Sequence, residues 1–140
     1  MKVQIFCDGA SRGNPGPAGI GVVLKDGHKT LLEISDYLGK TTNNIAEYAA
    51  CLRGLTEALI LGAKEVEVHA DSELLVKQLN GEYKVKNEGI QPIFSQIQSL
   101  IKKFKHFSVT HTLRDGNKHA DELANRGIDE HYKKDSPLFS

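Results

Sequence analysis

Lys2-Val3-Gln4-Ile5-Phe6-Cys7-Asp8-Gly9 alternates apolar with polar side chains and then closes on an acid and a glycine. Apolar residues at every second position mark a half-buried strand, here residues 2–8. A second run of the same form, Val66-Glu67-Val68-His69-Ala70, also closes on an acid, Asp71. Between the two, Asn43 to Leu61 reads as a long helix, with Thr42 or Asn43 as its N-cap and Gly62 as its stop. A strand, a helix and a second strand in one sheet join by a right-handed crossover, which sets the strands parallel. Their C-terminal ends, Asp8 and Asp71, then lie side by side, and the long helix brings Glu47 near the same edge.

Outward from that core unit, Ala18 to Lys25 and Lys29 to Leu38 read as further strands, joined by a hairpin at Asp26-Gly27. Gly39 to Thr42 reads as a loop. Downstream, Glu65 to Ala70 is a strand, Ser72 to Leu79 and Gly89 to Phe104 are helices, and Phe107 to Leu113 is the last strand. A final amphipathic helix runs from Asn117 to about Glu130. The order βββ-α-β-α-α-β-α predicts an α/β fold, a five-stranded sheet with helices packed on its faces. One domain over residues 1–130 is expected, with residues 131–140 a frayed tail.

At 140 residues the chain is long enough for a single substantial core. Its 26% charged and 39% hydrophobic residues are ordinary for a globular protein. The net charge is zero, so any polyanion must be bound through a local patch. No apolar run approaches the length of a membrane span, and no signal peptide is visible. Cys7 and Cys51 read as reduced thiols of a cytoplasmic protein, although one bridge between them is compatible with the sequence.

Four acids carry the chemistry: Asp8, Glu47, Asp71 and Asp121. Three have ordinary structural uses as well. Asp8-Gly9 suits a turn, Asp71-Ser72 suits a helix N-cap, and Asp121 suits the positive end of a helix dipole. Glu47 is harder to place. At 100° per residue its stripe holds Asn43, Ala50, Cys51, Gly54 and Ala58, mostly small residues fit for close packing, while Arg53 and Glu57 point elsewhere. A lone acid on such a stripe needs a partner. Four ionised carboxylates at one sheet edge require cations between them, which points to Mg²⁺ and metal-assisted phosphoryl chemistry.

Other motifs exclude more than they assign. The turn-forming segment Gly9 to Pro17 lacks the Gly-Lys-Ser/Thr ending of a nucleotide-binding P-loop. It reads either as a tight turn or as a backbone ledge that lets a sugar-phosphate chain come close. Thr41-Thr42-Asn43-Asn44 serves equally as a helix cap or as a set of small polar groups for phosphate and 2′-hydroxyl contacts. The histidines and cysteines lack zinc spacing. The lysines at 84, 86, 102, 103 and 105 read as solvated faces.

The strings Phe6-Cys7-Asp8-Gly9-Ala10-Ser11-Arg12-Gly13-Asn14-Pro15-Gly16, Thr42-Asn43-Asn44-Ile45-Ala46-Glu47-Tyr48, Ala70-Asp71-Ser72-Glu73-Leu74 and Asn117-Lys118-His119-Ala120-Asp121-Glu122-Leu123-Ala124 resemble, in order, the motifs of type 1 ribonuclease H. The resemblance covers the chain from its first strand to about residue 130. It implies an RNase H-like fold with sheet order 3-2-1-4-5. It further implies a monomeric endoribonuclease that hydrolyses the RNA strand of RNA/DNA hybrids with two Mg²⁺ ions, Mn²⁺ substituting. On this likeness Asp8, Glu47, Asp71 and Asp121 are catalytic metal ligands, with Asp8 shared by both ions. The backbone of Arg12, Gly13 and Asn14, with Thr42, Asn43, Asn44 and Ser72, would contact the substrate.

The sequence also departs from the family pattern. The mobile histidine loop of many members is replaced by Thr112-Leu113-Arg114-Asp115-Gly116-Asn117, with His111 at the strand end. This shorter loop is similar to that of archaeal and related bacterial members. It makes Arg114 the candidate for holding the substrate phosphate or assisting product release. It also resembles members that cut double-stranded RNA, an additional candidate substrate. The basic protrusion is missing at residues 80–89, so phosphate contacts should be few and the salt dependence shallow. A glutamine common after Asp-Ser is Glu73 here. Two competing classes share the expected fold: a non-catalytic hybrid-binding module, and a DNA-directed nuclease or strand-transferase.

Overall fold

A computed structural model of the protein describes residues 1–134. Three strands come first, β1 (Lys2–Ser11), β2 (Gly16–Asp26) and β3 (Lys29–Thr41), and form an antiparallel meander. Helix α1 (Asn43–Ile60) crosses to β4 (Glu65–Ala70), which pairs parallel to β1. Helices α2 (Glu73–Leu79) and α3 (Gln91–Ile101) lead to β5 (His106–His111), parallel to β4. A 3-10 turn at Arg114–Asn117 opens α4 (Lys118–Lys134). The sheet order is β3-β2-β1-β4-β5, as the resemblance implied.

The meander strands run longer than their side chains advertise. β1 continues to Ser11, β2 starts at Gly16, and the expected loop from Gly39 to Thr42 is largely strand. The reason is backbone pairing through residues of low strand propensity. Ala18 opposes Gly39 and Gly19 opposes Tyr37, so Leu38 is an extra, bulged residue and Gly39, at φ 92°, absorbs the kink. Two other boundaries move the opposite way. β5 stops at His111, two residues short of expectation, and α3 spans Gln91–Ile101 instead of 89–104. Helix α4 runs on through Lys134, past the expected boundary at residue 130. The remainder of the tail expected to fray lies outside the described residues.

Helix α1 begins where Thr42 accepts a hydrogen bond from the Ile45 amide at 3.2 Å and ends at Gly62, φ 88°. Two bonds close its last turn, Gly62 N–H to Leu59 O and Ala63 N–H to Ala58 O, a left-handed glycine cap. Its inner face, with Tyr48, Cys51, Leu55 and Ala58, packs on Ile5, Val22 and Val68 from the sheet. The buried Tyr48 hydroxyl donates to Gln78 Oε1, and Gln78 Nε2 donates to Lys84 O at 3.2 Å. That chain ties α1 to α2 and to the irregular segment that replaces a protrusion.

β2 is buried nearly throughout, because α1 covers one face and α4 the other. The close approach depends on missing side chains. A Cβ at Gly21 would collide with the Ala120 carbonyl of α4, one at Gly19 with the Ala124 carbonyl, and one at Gly9 with the Ala46 backbone of α1. Overpacking of this kind forces backbone shifts that cost about 1–3 kcal/mol. Gly21→Ala should therefore lower unfolding stability by about 2 kcal/mol or more in urea titration. An unchanged midpoint would show that α4 is free to lift from the sheet.

Candidate active site

β1 outruns β4. Their pairing ends at Phe6 with His69, so Asp8, two residues further on, pairs only with Gly21 of β2. A notch opens on its other side. Asp8 is thus placed inside a longer strand than expected, at the point where the sheet splits. Asp71 follows the last residue of β4, Glu47 faces in from the second turn of α1, and Asp121 comes from the first turn of α4. The four acids line one cleft of about 510 Å³.

Their proximity bears on the charge of Asp8 and Glu47. Asp8 is only 7% exposed. Burial, a hydrogen bond to Asp121 and the charges of Asp71, Asp121 and Glu47 push its carboxyl up to about 9. Glu47 is also raised, first by burial and then by Asp71, while a hydrogen bond from Ser72 opposes the rise. Ser72 therefore touches an acid of the site, and it also caps α2 by accepting from the Leu75 amide at 3.2 Å. Among the described residues no three His, Cys, Asp or Glu side chains stand in ready-made ligand geometry. The site fits a cation by charge, not by a preformed cage: an all-oxygen donor set under mutual repulsion suits hard ions such as Mg²⁺ and Mn²⁺.

The same cleft is bordered by Gly9, Ala10, Ser11 and Asn43, and on the far side by His111, Thr112, Leu113, Arg114 and Asn125. Arg114 is exposed at this rim, on the 3-10 turn. Asn43 N–H donates to Asn14 Oδ1 at 3.0 Å, which docks the turn after β1 on the start of α1. Gly13 takes φ 101° there, a conformation that suits glycine. Asn44 is exposed and does not line the cleft. The side chain of Arg12 turns away, to Asp129 of α4 at 2.7 Å. Glu73 is paired with Lys77 at 2.9 Å, one turn along α2.

Three contributors have no strong signal in the sequence. His111 Nε2 donates to the Asp71 carbonyl at 3.3 Å, bracing the loop that carries that acid. Asn125 lines the cleft one helical turn after Asp121, a spacing that marks it in hindsight. Asn117, fully buried, donates through Nδ2 to the Cys7 carbonyl at 2.9 Å and so ties the start of α4 to the strand just before Asp8. Cys7 and Cys51 are free and buried, not bridged.

This sheet order, with acids on β1, α1, the end of β4 and α4, defines the RNase H-like fold class. Residues 6–127 match the family model described as Reverse transcriptase-like. Ribonuclease H of Pseudomonas fluorescens is 36% identical over 145 residues, which cover 92% of this chain and 93% of that protein. LC11-RNase H1, isolated from compost and solved in complex with an RNA/DNA hybrid, is 44% identical with a TM-score of 0.88 and covers 93% of this chain and 99% of its own. The N-terminal RNase H domain of Rv2228c from Mycobacterium tuberculosis is 41% identical with a TM-score of 0.90, covering 92% of this chain and 100% of the domain. The chain spans only 36% of the length of that bifunctional protein. The chain belongs to the type 1 ribonuclease H family.

Asp8 sets the pH response of the cation-free protein. Its folded pKa lies above its ordinary value of 3.8, so the native state holds a proton that the unfolded chain releases. Stability from this group is complete below about pH 4 and drains away as pH rises towards about 9. In EDTA, Asp8→Asn should be more stable than the parent by on the order of 2 kcal/mol at pH 7 and should flatten the decline across that window. Urea unfolding at pH 5, 7 and 9 checks this; a variant weaker than the parent at pH 7 refutes it.

Proposed function

We propose that this chain is an endoribonuclease that hydrolyses the RNA strand of RNA/DNA hybrids with two Mg²⁺ ions, leaving 5′-phosphate and 3′-hydroxyl ends. The observation that carries the reading is the convergence of Asp8, Glu47, Asp71 and Asp121 on one open cleft, with Asp8 too buried and too crowded to ionise by itself. Such a site is electrostatically incomplete, and divalent cations complete it. Bound there, they would supply an activated water and stabilise the departing 3′-oxygen, and Mn²⁺ would substitute.

The protein's own residues do the rest. The four carboxylates would hold the ions, with Asp8 central because it touches Asp121 and feels both other acids. The backbone of Arg12 to Asn14 and the side chains of Asn14, Asn43 and Asn44 would meet the 2′-hydroxyls of the RNA strand. A site built to pair those hydroxyls rejects a deoxy strand, because its polar groups then lose their partners. Thr42 fixes the α1 N-terminus that presents Asn43 and Asn44. Ser72 steadies Glu47. Arg114, exposed at the rim, would hold a phosphate during attack or help the product go. Two free buried cysteines support a reducing, cytoplasmic setting. No helix of the described residues is long and apolar enough to cross a membrane.

The test is a cleavage assay on labelled RNA/DNA hybrid, duplex RNA, single-stranded RNA and duplex DNA, with Mg²⁺ and with Mn²⁺. Hybrid should be cut, EDTA should abolish the activity, and Asp71→Asn should lower it by about a hundredfold or more. Cleavage of duplex RNA would extend the range to double-stranded RNA, and its absence at high enzyme concentration would confine the activity to hybrids. Turnover in EDTA, or full activity of Asp71→Asn, would sink the metal assignment.

A further inference from the structure

Arg12 sits on the turn that would meet the RNA strand, yet its guanidinium points to α4. Nη1 lies 2.7 Å from Asp129 Oδ1, and Nη2 lies 3.4 Å from both the main-chain and side-chain oxygens of Asn125. Arg12 in turn holds Asp129 below the usual carboxylate range. Asn125 faces the cleft, and its amide donates to Asp121, at 3.1 Å to the carbonyl and 3.5 Å to the carboxylate. One side chain therefore connects the turn after β1 to the helix that carries a catalytic acid. The turn has two other anchors: Ser11 Oγ donates to Thr41 O at 2.9 Å, and Asn14 Oδ1 accepts from Asn43 N–H. Those fix it to β3 and α1. Among the described residues, the Arg12 contacts fix it to α4.

We propose that the Arg12–Asp129 pair is a positioning device: it holds the β1–β2 turn in the shape that receives the RNA strand, so that Arg12 acts on the substrate through its backbone while its charge is paired with Asp129 at the protein surface. The proposal rests on the hybrid-cleaving reading above. It makes a prediction opposite to that of simple charge attraction. If Arg12 bound phosphate through its guanidinium, removing the negative charge of Asp129 would free that cation and tighten binding. If the pair shapes the turn, breaking it loosens the ledge and weakens binding, whatever happens to the net charge.

Asp129→Lys separates the two accounts, because it adds positive charge beside the substrate and breaks the pair. An exposed ion pair is worth little, so the effect is modest. KM for hybrid should rise about fivefold at fixed low ionic strength, with kcat within about twofold because Asn125 keeps its own bonds to Asp121. The charge swap Arg12→Glu with Asp129→Lys, which restores both the pair and the net charge, should bring KM back to within about twofold of the parent. A melting temperature equal to the parent's shows that the fold is intact in each variant. An unchanged or lower KM in Asp129→Lys overturns the proposal, and so does a swap variant no better than Asp129→Lys alone. The parent chain is assayed beside them: no cleavage of hybrid by the parent overturns the functional reading itself, whereas cleavage with insensitivity to Asp129→Lys overturns only the positioning role.

Discussion

Two helices press on the same pair of strands from opposite sides, and both come close enough that backbone meets backbone. Gly9 admits α1, and Gly19 and Gly21 admit α4. Ordinary side chains at these positions would hold the helices further from the sheet, since helices usually pack with side chains between them and their neighbour. The acids are short. Asp8 and Asp121 share a hydrogen bond only because α4 has descended onto β2, and Glu47 reaches the cleft only because α1 has descended onto β1. The glycines are thus as much a part of the chemistry as the carboxylates they bring together.

That closeness has an electrostatic cost that the rest of the fold sustains. Burial and three neighbouring carboxylates work against the charge on Asp8. The arrangement persists because the elements carrying the acids are anchored elsewhere. Asn117 holds the start of α4 to the Cys7 carbonyl, His111 holds the Asp71 main chain, and Ser72 both caps α2 and satisfies Glu47. Each anchor touches an acid of the site or the residue beside one. A site built this way holds its acids together against their mutual repulsion.

Much of this was legible in the chain, and the pattern of what was not is physical. β4 matches its expected span, Glu65 to Ala70, because strict alternation is bounded by breakers on both sides. α1 starts at the expected Asn43, because Thr42 is a strong cap. The convergence of Asp8, Asp71 and Glu47 follows from two strand ends and one crossover, and Asp121 joins them through the family resemblance. The meander strands were read too short because Gly16, Pro17 and Gly39 speak for turns, whereas the sheet uses only their backbone. Asn125 and the direction of the Arg12 side chain were invisible for another reason. Arg12 and Asn125 are 113 residues apart in sequence, and nothing local to either records that they meet. Leu113 was expected to end β5 and instead lies, 78% exposed, on the rim of the cleft.

The glycine-rich strand β2 also has a bearing on how the molecule is made. Glycine is a weak strand former, and three of the first six residues of β2 are glycine, Gly16, Gly19 and Gly21. Its pairing with β1 and β3 and the cover on its two faces hold that strand. One cover, α1, emerges from the ribosome soon after it. The other, α4, touches it through Ala120, about a hundred residues later in synthesis. Until then one face of the most buried strand is wet, and the growing chain exposes an apolar surface with no partner of its own. The nascent protein is therefore most exposed to mispairing with other chains during the interval between the synthesis of β2 and that of α4.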